Sequence, residues 1–213
     1  MALERRLFER KRTVLIEESM DRLEFLVEER SMAEVLKVLL PRILPASWVL
    51  DENYFIRPHE GKSDLKRSIP KKLKGFAQHK EQTTGFIIIQ DQDSNDCRQL
   101  KQELVALCKA NQAPNINLVR IVCHELEAWY LGDMKAIQAV FPRFNPARHL
   151  KKSLFRLPDT CQNPKTRLKD IVGDYQQIAT AQMIAPYIDI EHNRSESFRQ
   201  FVSGIRKFIT AKR

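Results

Sequence analysis

The sequence predicts an α/β protein, a parallel sheet of about four strands with helices on both faces. Two observations carry this. Short runs rich in Val, Ile, Leu and Phe recur along the chain. Segments with apolar residues at helical spacing separate them, giving the order β-α-β-α-β-α-β-α up to residue 141.

The elements follow in order. Residues 22–28, RLEFLVE, alternate and then run apolar, as a short strand does. In Ser31–Leu44 the residues Val35, Leu36, Leu39, Leu40 and Ile43 recur at helical spacing. Ser31 and Glu34 there have the S-x-x-E spacing of a capping box, and Pro41 kinks or ends the helix in its last turn. WVLDENYFIRPH holds a second strand. Gly61–Ala77 reads as a basic helix broken near Pro70. Gly85–Gln90, GFIIIQ, is the clearest strand, and Cys97–Asn111 is helical by Leu100, Leu104 and Leu107. Ile116–Cys123, INLVRIVC, is another strand rich in β-branched residues, feeding a helical stretch interrupted around Gly132.

Three segments emerge. Residues 20–141 form the α/β domain. Residues 142–213 form a helical C-terminal extension packed on it, with helices around 165–185 and 197–211 and a second S-x-x-Q pairing, Ser197 with Gln200, to cap the last. Residues 1–19 fit the scheme poorly and read as an extension, either an extra helix or an upstream start, because Met20 stands where a compact α/β domain would begin.

Composition narrows the function. A chain of 213 residues with 43% hydrophobic and 30% charged residues has enough apolar material for a real core. A net charge of +9 favours polyanionic partners, nucleic acid first. Cys97, Cys108, Cys123 and Cys161 show no C-x-x-C pairing, which argues against a zinc site or a disulfide framework and for reduced thiols in the cytoplasm. No apolar run approaches the ~20 residues of a membrane span, and the N-terminal residues lack a signal-peptide core.

The acids are the informative residues. In an open parallel sheet, ligands bind beyond the carboxyl ends of the strands. Glu28 and Glu29, Asp91 and Asp93, and Glu125 and Glu127 all fall at such ends. Carboxylates gathered this closely take up protons unless a cation neutralises them, and hard oxygen donors suit Mg²⁺ or Mn²⁺. A metal held there polarises a phosphoryl oxygen and generates a hydroxide nucleophile. The basic side chains Lys62, Lys66, Arg67, Lys71, Lys72 and Lys74 then hold the remaining nucleic-acid backbone. Each acid also has a structural reading: Glu34 and Asp96 as helix caps, Glu125 and Glu127 as favourable charges at a helix N-terminus. Cys123 and His124 are sequence neighbours on a strand and face opposite ways, so they make a poor nucleophile–base pair. GKSD at 61–64 lacks the spacing of a phosphate loop, and Trp129, Tyr130 and Leu131 read as core.

The first-strand acid in LVEERS together with IIIQDQDSND resembles the Toprim arrangement of primases, topoisomerases and overcoming-lysogenization-defect nucleases. More closely, LVEERSMAEVLKVLLPRILP, HEGKSDLKRSIPKKL, DQDSNDC, VRIVCHELEAWYLGD and IEHNRSESFRQFV together resemble an uncharacterised prokaryotic Toprim-like family. The resemblance implies a Rossmann-like Toprim fold with Mg²⁺ on Glu28, Asp91 and Asp93, and Glu125 and Glu127 are the further candidates for metal and catalysis. It also implies an AAA/ABC-type ATPase partner in anti-phage defence. Glu29 stands where the Toprim pattern usually has glycine. The function expected is a Toprim-type nuclease hydrolysing phosphodiesters of DNA or RNA; the alternative is a non-catalytic nucleic-acid-binding or adaptor subunit. The sequence leaves oligomeric state open, a homo-oligomer included.

Overall fold

The computed structural model describes residues 20–79, 82–111 and 116–210. The expectation for residues 1–19 therefore lies outside the described residues. Strands β1 (Arg22–Val27), β2 (Tyr54–Pro58), β3 (Thr84–Asp91) and β4 (Ile116–Val122) form one four-stranded sheet, all parallel, in the order β2-β1-β3-β4. Helices α1 (Arg30–Ile43), α2 (Lys62–Phe76) and α3 (Cys97–Lys109) are the crossovers. The chain first steps from β1 to β2 and thereafter moves the other way, so the direction reverses between β1 and β3.

Side-chain alternation sorts the sheet into two apolar layers. Phe25, Val27, Ile87 and Ile89 face α1 through Val35, Leu36 and Leu39. Leu26, Phe86 and Ile88 face α2 and α3 through Leu65, Ile69, Leu73, Leu100 and Leu104. A strand covered on both faces has no polar side, which is why β3 is buried from Thr84 through Gln90.

Four more helices complete the first layer and its rim: α4 (Glu127–Leu131), α5 (Met134–Val140), α6 (Ser153–Arg156) and α7 (Pro164–Val172). They are followed by α8 (Gln177–Ile184) and α9 (Glu196–Thr210). Phe155, Leu168, Ile184, Phe198 and Phe201 join the same apolar cluster as β1 and α1. The segment after residue 141 thus shares the core of the sheet.

Three local expectations are corrected. Helix α1 begins at Arg30 with Glu29 as its cap residue, so Ser31 lies inside the first turn and cannot cap it. The Ser31 hydroxyl instead donates to Glu29 Oε1 at 2.5 Å, and Glu34 pairs with Lys37 and Gln182. Helix α2 runs through Pro70 unbroken, because Leu65, Ile69 and Leu73 are fully buried along one face and packing offsets the lost hydrogen bond. At α9 the cap contact comes from Ser195, whose Oγ accepts from Phe198 N–H at 3.1 Å. Ser197 is within that helix, so it bonds Asp159, while Gln200 bonds Glu196. Asp96 does cap α3, accepting from Gln99 N–H at 2.7 Å.

Candidate active site

Glu28 follows β1 by one residue and Asp91 closes β3. They stand at the carboxyl ends of the two strands between which the direction of winding reverses, the crevice where open α/β sheets take ligands. The backbone N–H of Asp91 donates to Glu28 Oε2 at 3.2 Å. Burial, then the charge of Asp93, pushes the Glu28 carboxyl up to about 7, against the pull of the Asp91 N–H and, more weakly, of Lys62. Lys62, from the first turn of α2, pairs with Asp93 at 3.2 Å. Glu28, Asp93 and Lys62 therefore form one group.

Asp91 belongs to a second, deeper group. Its Oδ2 accepts from Leu126 N–H at 3.2 Å. Burial, then the charges of Glu127 and Glu28, holds its carboxyl well above the usual carboxylate range. Glu127 is buried at the start of α4 and accepts a short hydrogen bond from the Tyr175 hydroxyl. Burial pushes the Glu127 carboxyl up to about 7 despite that bond. The Tyr130 hydroxyl is fully buried and makes no hydrogen bond among the described residues. It is held well above its ordinary range by burial and then by Glu127, Tyr175 and Asp91. Glu29 accepts from Ser31 and from Gln177 Nε2 at 2.6 Å beside them. The sequence marked Glu29 as a strand-end acid and Tyr130 as core, which its burial bears out, but passed over Tyr175 and Gln177.

The mouth of the site is strained. Asp93 (φ 52°) and His124 (φ 56°) are both in the left-handed region. Asp93 N–H donates to His124 O at 2.8 Å, and His124 N–H donates to Gln92 Oε1 at 3.2 Å. They line a cleft of about 530 Å³ with Gln92, Ser94, Glu125, Gln162 and Asn163. Glu125 accepts from Lys165 N–H at 3.0 Å across it, so Glu125 sits in the cleft wall while Glu127 is buried. Beside His124, burial raises the Cys123 thiol to about 12, the opposite of an activated nucleophile.

Among the described residues, no three carboxylate, imidazole or thiol groups are grouped so as to hold a metal ion. The basic residues of α2 divide. Lys62, Lys66 and Arg67 pair with Asp93, Glu103 and Asp64, whereas Lys71, Lys72 and Lys74 enter no ion pair among the described residues. No described helix is long and apolar enough to cross a membrane.

No curated protein and no solved structure matches the chain. A family model does match, over residues 27–206, a span that starts at the last residue of β1 and ends within α9. That span takes in both carboxylate groups, the strained mouth and the helices that close over them, and by it the chain belongs to the family described as domain of unknown function (DUF4276).

Proposed function

We propose that the protein is a divalent-metal-dependent phosphodiesterase of the Toprim type that acts on DNA or RNA. One observation carries the reading: Glu28 and Asp91, neither in an ion pair among the described residues, stand at the switch point of a parallel sheet, where burial and neighbouring carboxylates raise both carboxyls. Mg²⁺ uses one or two carboxylates, several waters and substrate phosphate oxygens, so it does not require a three-ligand protein cage. Glu28 and Asp93 fit that donor set and would hold the ion. Once bound, it would supply a polarised phosphoryl oxygen and a water of lowered pKa.

The chain's own groups do the rest. Asp91 is mostly buried beside Glu127, and burial raises both carboxyls, Glu127 to about 7, so the pair can hold a proton that Asp91 delivers to a leaving oxygen. The Leu126 N–H and Tyr175 hydroxyl fix the orientation of these two carboxyls. The resemblance of the sequence blocks to Toprim-like proteins adds an AAA/ABC-type ATPase partner and a role in anti-phage defence to the proposal.

The test is incubation of the purified protein with DNA and RNA, with Mg²⁺ or EDTA, alone and with an AAA/ABC-type ATPase. Asp91→Asn and Glu28→Gln should each lower the rate about 100-fold or more, roughly 2.7 kcal/mol of barrier, with the fold intact by circular dichroism. Unchanged Mg²⁺-dependent cleavage in both variants would overturn the assignment. One observation favours a second reading, a non-catalytic nucleic-acid-binding or adaptor subunit: the Lys62 ammonium already sits on Asp93, where a metal would bind. Nucleic-acid binding without cleavage under every condition would select it.

A further inference from the structure

We propose that the phosphate backbone of a nucleic acid is held by the helical rim around α6 and α7, with Lys152 and Arg167 as its central contacts, rather than by the basic helix α2. This deepens the phosphodiesterase reading and rests on it for the identity of the ligand.

Three observations converge on that surface. Residues 146–172 carry seven lysines and arginines against two acids, Asp159 and Asp170. None of those seven cations forms an ion pair among the described residues. Asp159 is itself engaged, accepting from Ser195 Oγ and Ser197 N–H at 2.7 Å each. On α2, by contrast, half of the six cations are spent on carboxylates.

The second observation is shape. A cleft of about 430 Å³ lies here, with Lys152 and Arg167 in its walls and Asp170 as its one acidic lining residue. The third is position. Gln162 and Asn163 line this cleft and also the one that contains Asp93, His124 and Glu125. Their side-chain amides make no hydrogen bond among the described residues, so they offer uncharged donors between the two. A strand held through its phosphates at Lys152 and Arg167 passes over Gln162 and Asn163 and presents the next phosphodiester to the carboxylates. Phosphate contacts of this kind fix register and orientation without reading bases.

The experiment measures binding apart from cleavage, in EDTA. Full-length protein is titrated into fluorescein-labelled single-stranded DNA and RNA of one sequence, read by anisotropy from 50 to 200 mM salt. The double variant Lys152→Glu/Arg167→Glu is compared with Lys71→Glu/Lys74→Glu on α2; all four positions are exposed, and circular dichroism checks the folds. The rim variant should lose about tenfold or more in affinity, and its log–log salt slope should fall by about 1.4, about 0.7 per phosphate contact removed from a single strand. The α2 variant should stay within about twofold. A larger loss from the α2 variant, no binding by the wild type, or binding to phosphatidylserine vesicles in place of oligonucleotides would each overturn the proposal. Rim-dependent binding by a protein that never cleaves would leave it standing and sink the hydrolase reading. Cleavage with α2-dependent binding would do the reverse.

Discussion

Asp93 and His124 hold each other in the left-handed backbone region: the Asp93 N–H donates to the His124 carbonyl at 2.8 Å, with φ of 52° and 56°. Two adjoining loops, one after β3 and one after β4, thus adopt a conformation that costs about 1–2 kcal/mol per non-glycine residue. Strain persists where surrounding structure over-determines it, and such sites cluster at functional positions.

A substitution series at His124 follows from this. Asparagine tolerates the left-handed region, so His124→Asn should fold within about 1 kcal/mol of the wild type. Valine is β-branched and disfavours it strongly, so His124→Val should lose about 2 kcal/mol. Urea denaturation reads both. Equal stability of the two variants would show that the loop relaxes out of this conformation.

The second prediction concerns pH. Burial raises the folded Glu127 carboxyl from an ordinary 4.5 to about 7, so the folded state binds this proton more tightly than the unfolded chain. Its favourable contribution is complete below the unfolded value and is lost as pH rises through the window from about 4.5 to 7. The loss is on the order of 3 kcal/mol for this group alone. Glu28 is raised to about 7 as well and adds a loss of the same sign. Glu127→Gln still accepts from Tyr175 but has no proton to release, so its stability should fall less between pH 5 and pH 8. A variant that kept the wild-type slope would place the titration elsewhere.

What the sequence revealed and what it hid have physical causes. The four strands were legible because strands buried on both faces are short apolar runs, and β3 is the purest case. Glu28 and Asp91 were legible because they interrupt such runs at strand ends. The Tyr175–Glu127 bond was not, since it joins a loop between α7 and α8 to α4, and no local pattern encodes a contact so distant in sequence. The two capping boxes failed for a different reason, although Asp96 does cap α3. S-x-x-E spacing fits several starting points, and a shift of the start by a residue or two turns the capping serine into an interior one. Pro70 failed because local propensity yields to the buried face of α2.

Two glycines should respond oppositely to alanine. A Cβ at Gly132, between α4 and α5, would lie 2.8 Å from Ser195 N and closer still to Asn193 Oδ1. Both are anchored: Asn193 Nδ2 donates to Trp129 O at 2.9 Å, and Ser195 N–H donates to Asn193 Oδ1 at 2.8 Å. Gly132→Ala should therefore cost about 2 kcal/mol or more, as overpacking does. A Cβ at Gly75, near the end of α2, meets nothing within 4 Å. Gly75→Ala should stabilise by about 0.5 kcal/mol through the lower entropy of the unfolded chain. Thermal melts suffice, and a neutral Gly132→Ala would mean that the Asn193 turn can move.

The two tyrosines of the deeper group separate a satisfied hydroxyl from an orphaned one. Tyr175 donates to Glu127, so Tyr175→Phe leaves a buried carboxyl without its partner and should cost about 1–3 kcal/mol. It should also raise the Glu127 pKa further, because the bond that favours the ionised form is gone. Tyr130 has no hydrogen-bond partner among the described residues, though its ring is fully buried against the core. Tyr130→Phe keeps the packing and removes a desolvated polar atom, so stability should hold or rise by about 1 kcal/mol. Urea denaturation of both variants decides between these outcomes, and a loss at Tyr130 equal to that at Tyr175 would show that its hydroxyl is bonded in solution. The activity readout then carries separate meaning. A Tyr130→Phe protein that is as stable as the wild type yet cleaves more slowly would show that the buried hydroxyl acts through the neighbouring Glu127 and Asp91 carboxyls, since stability can no longer account for the loss.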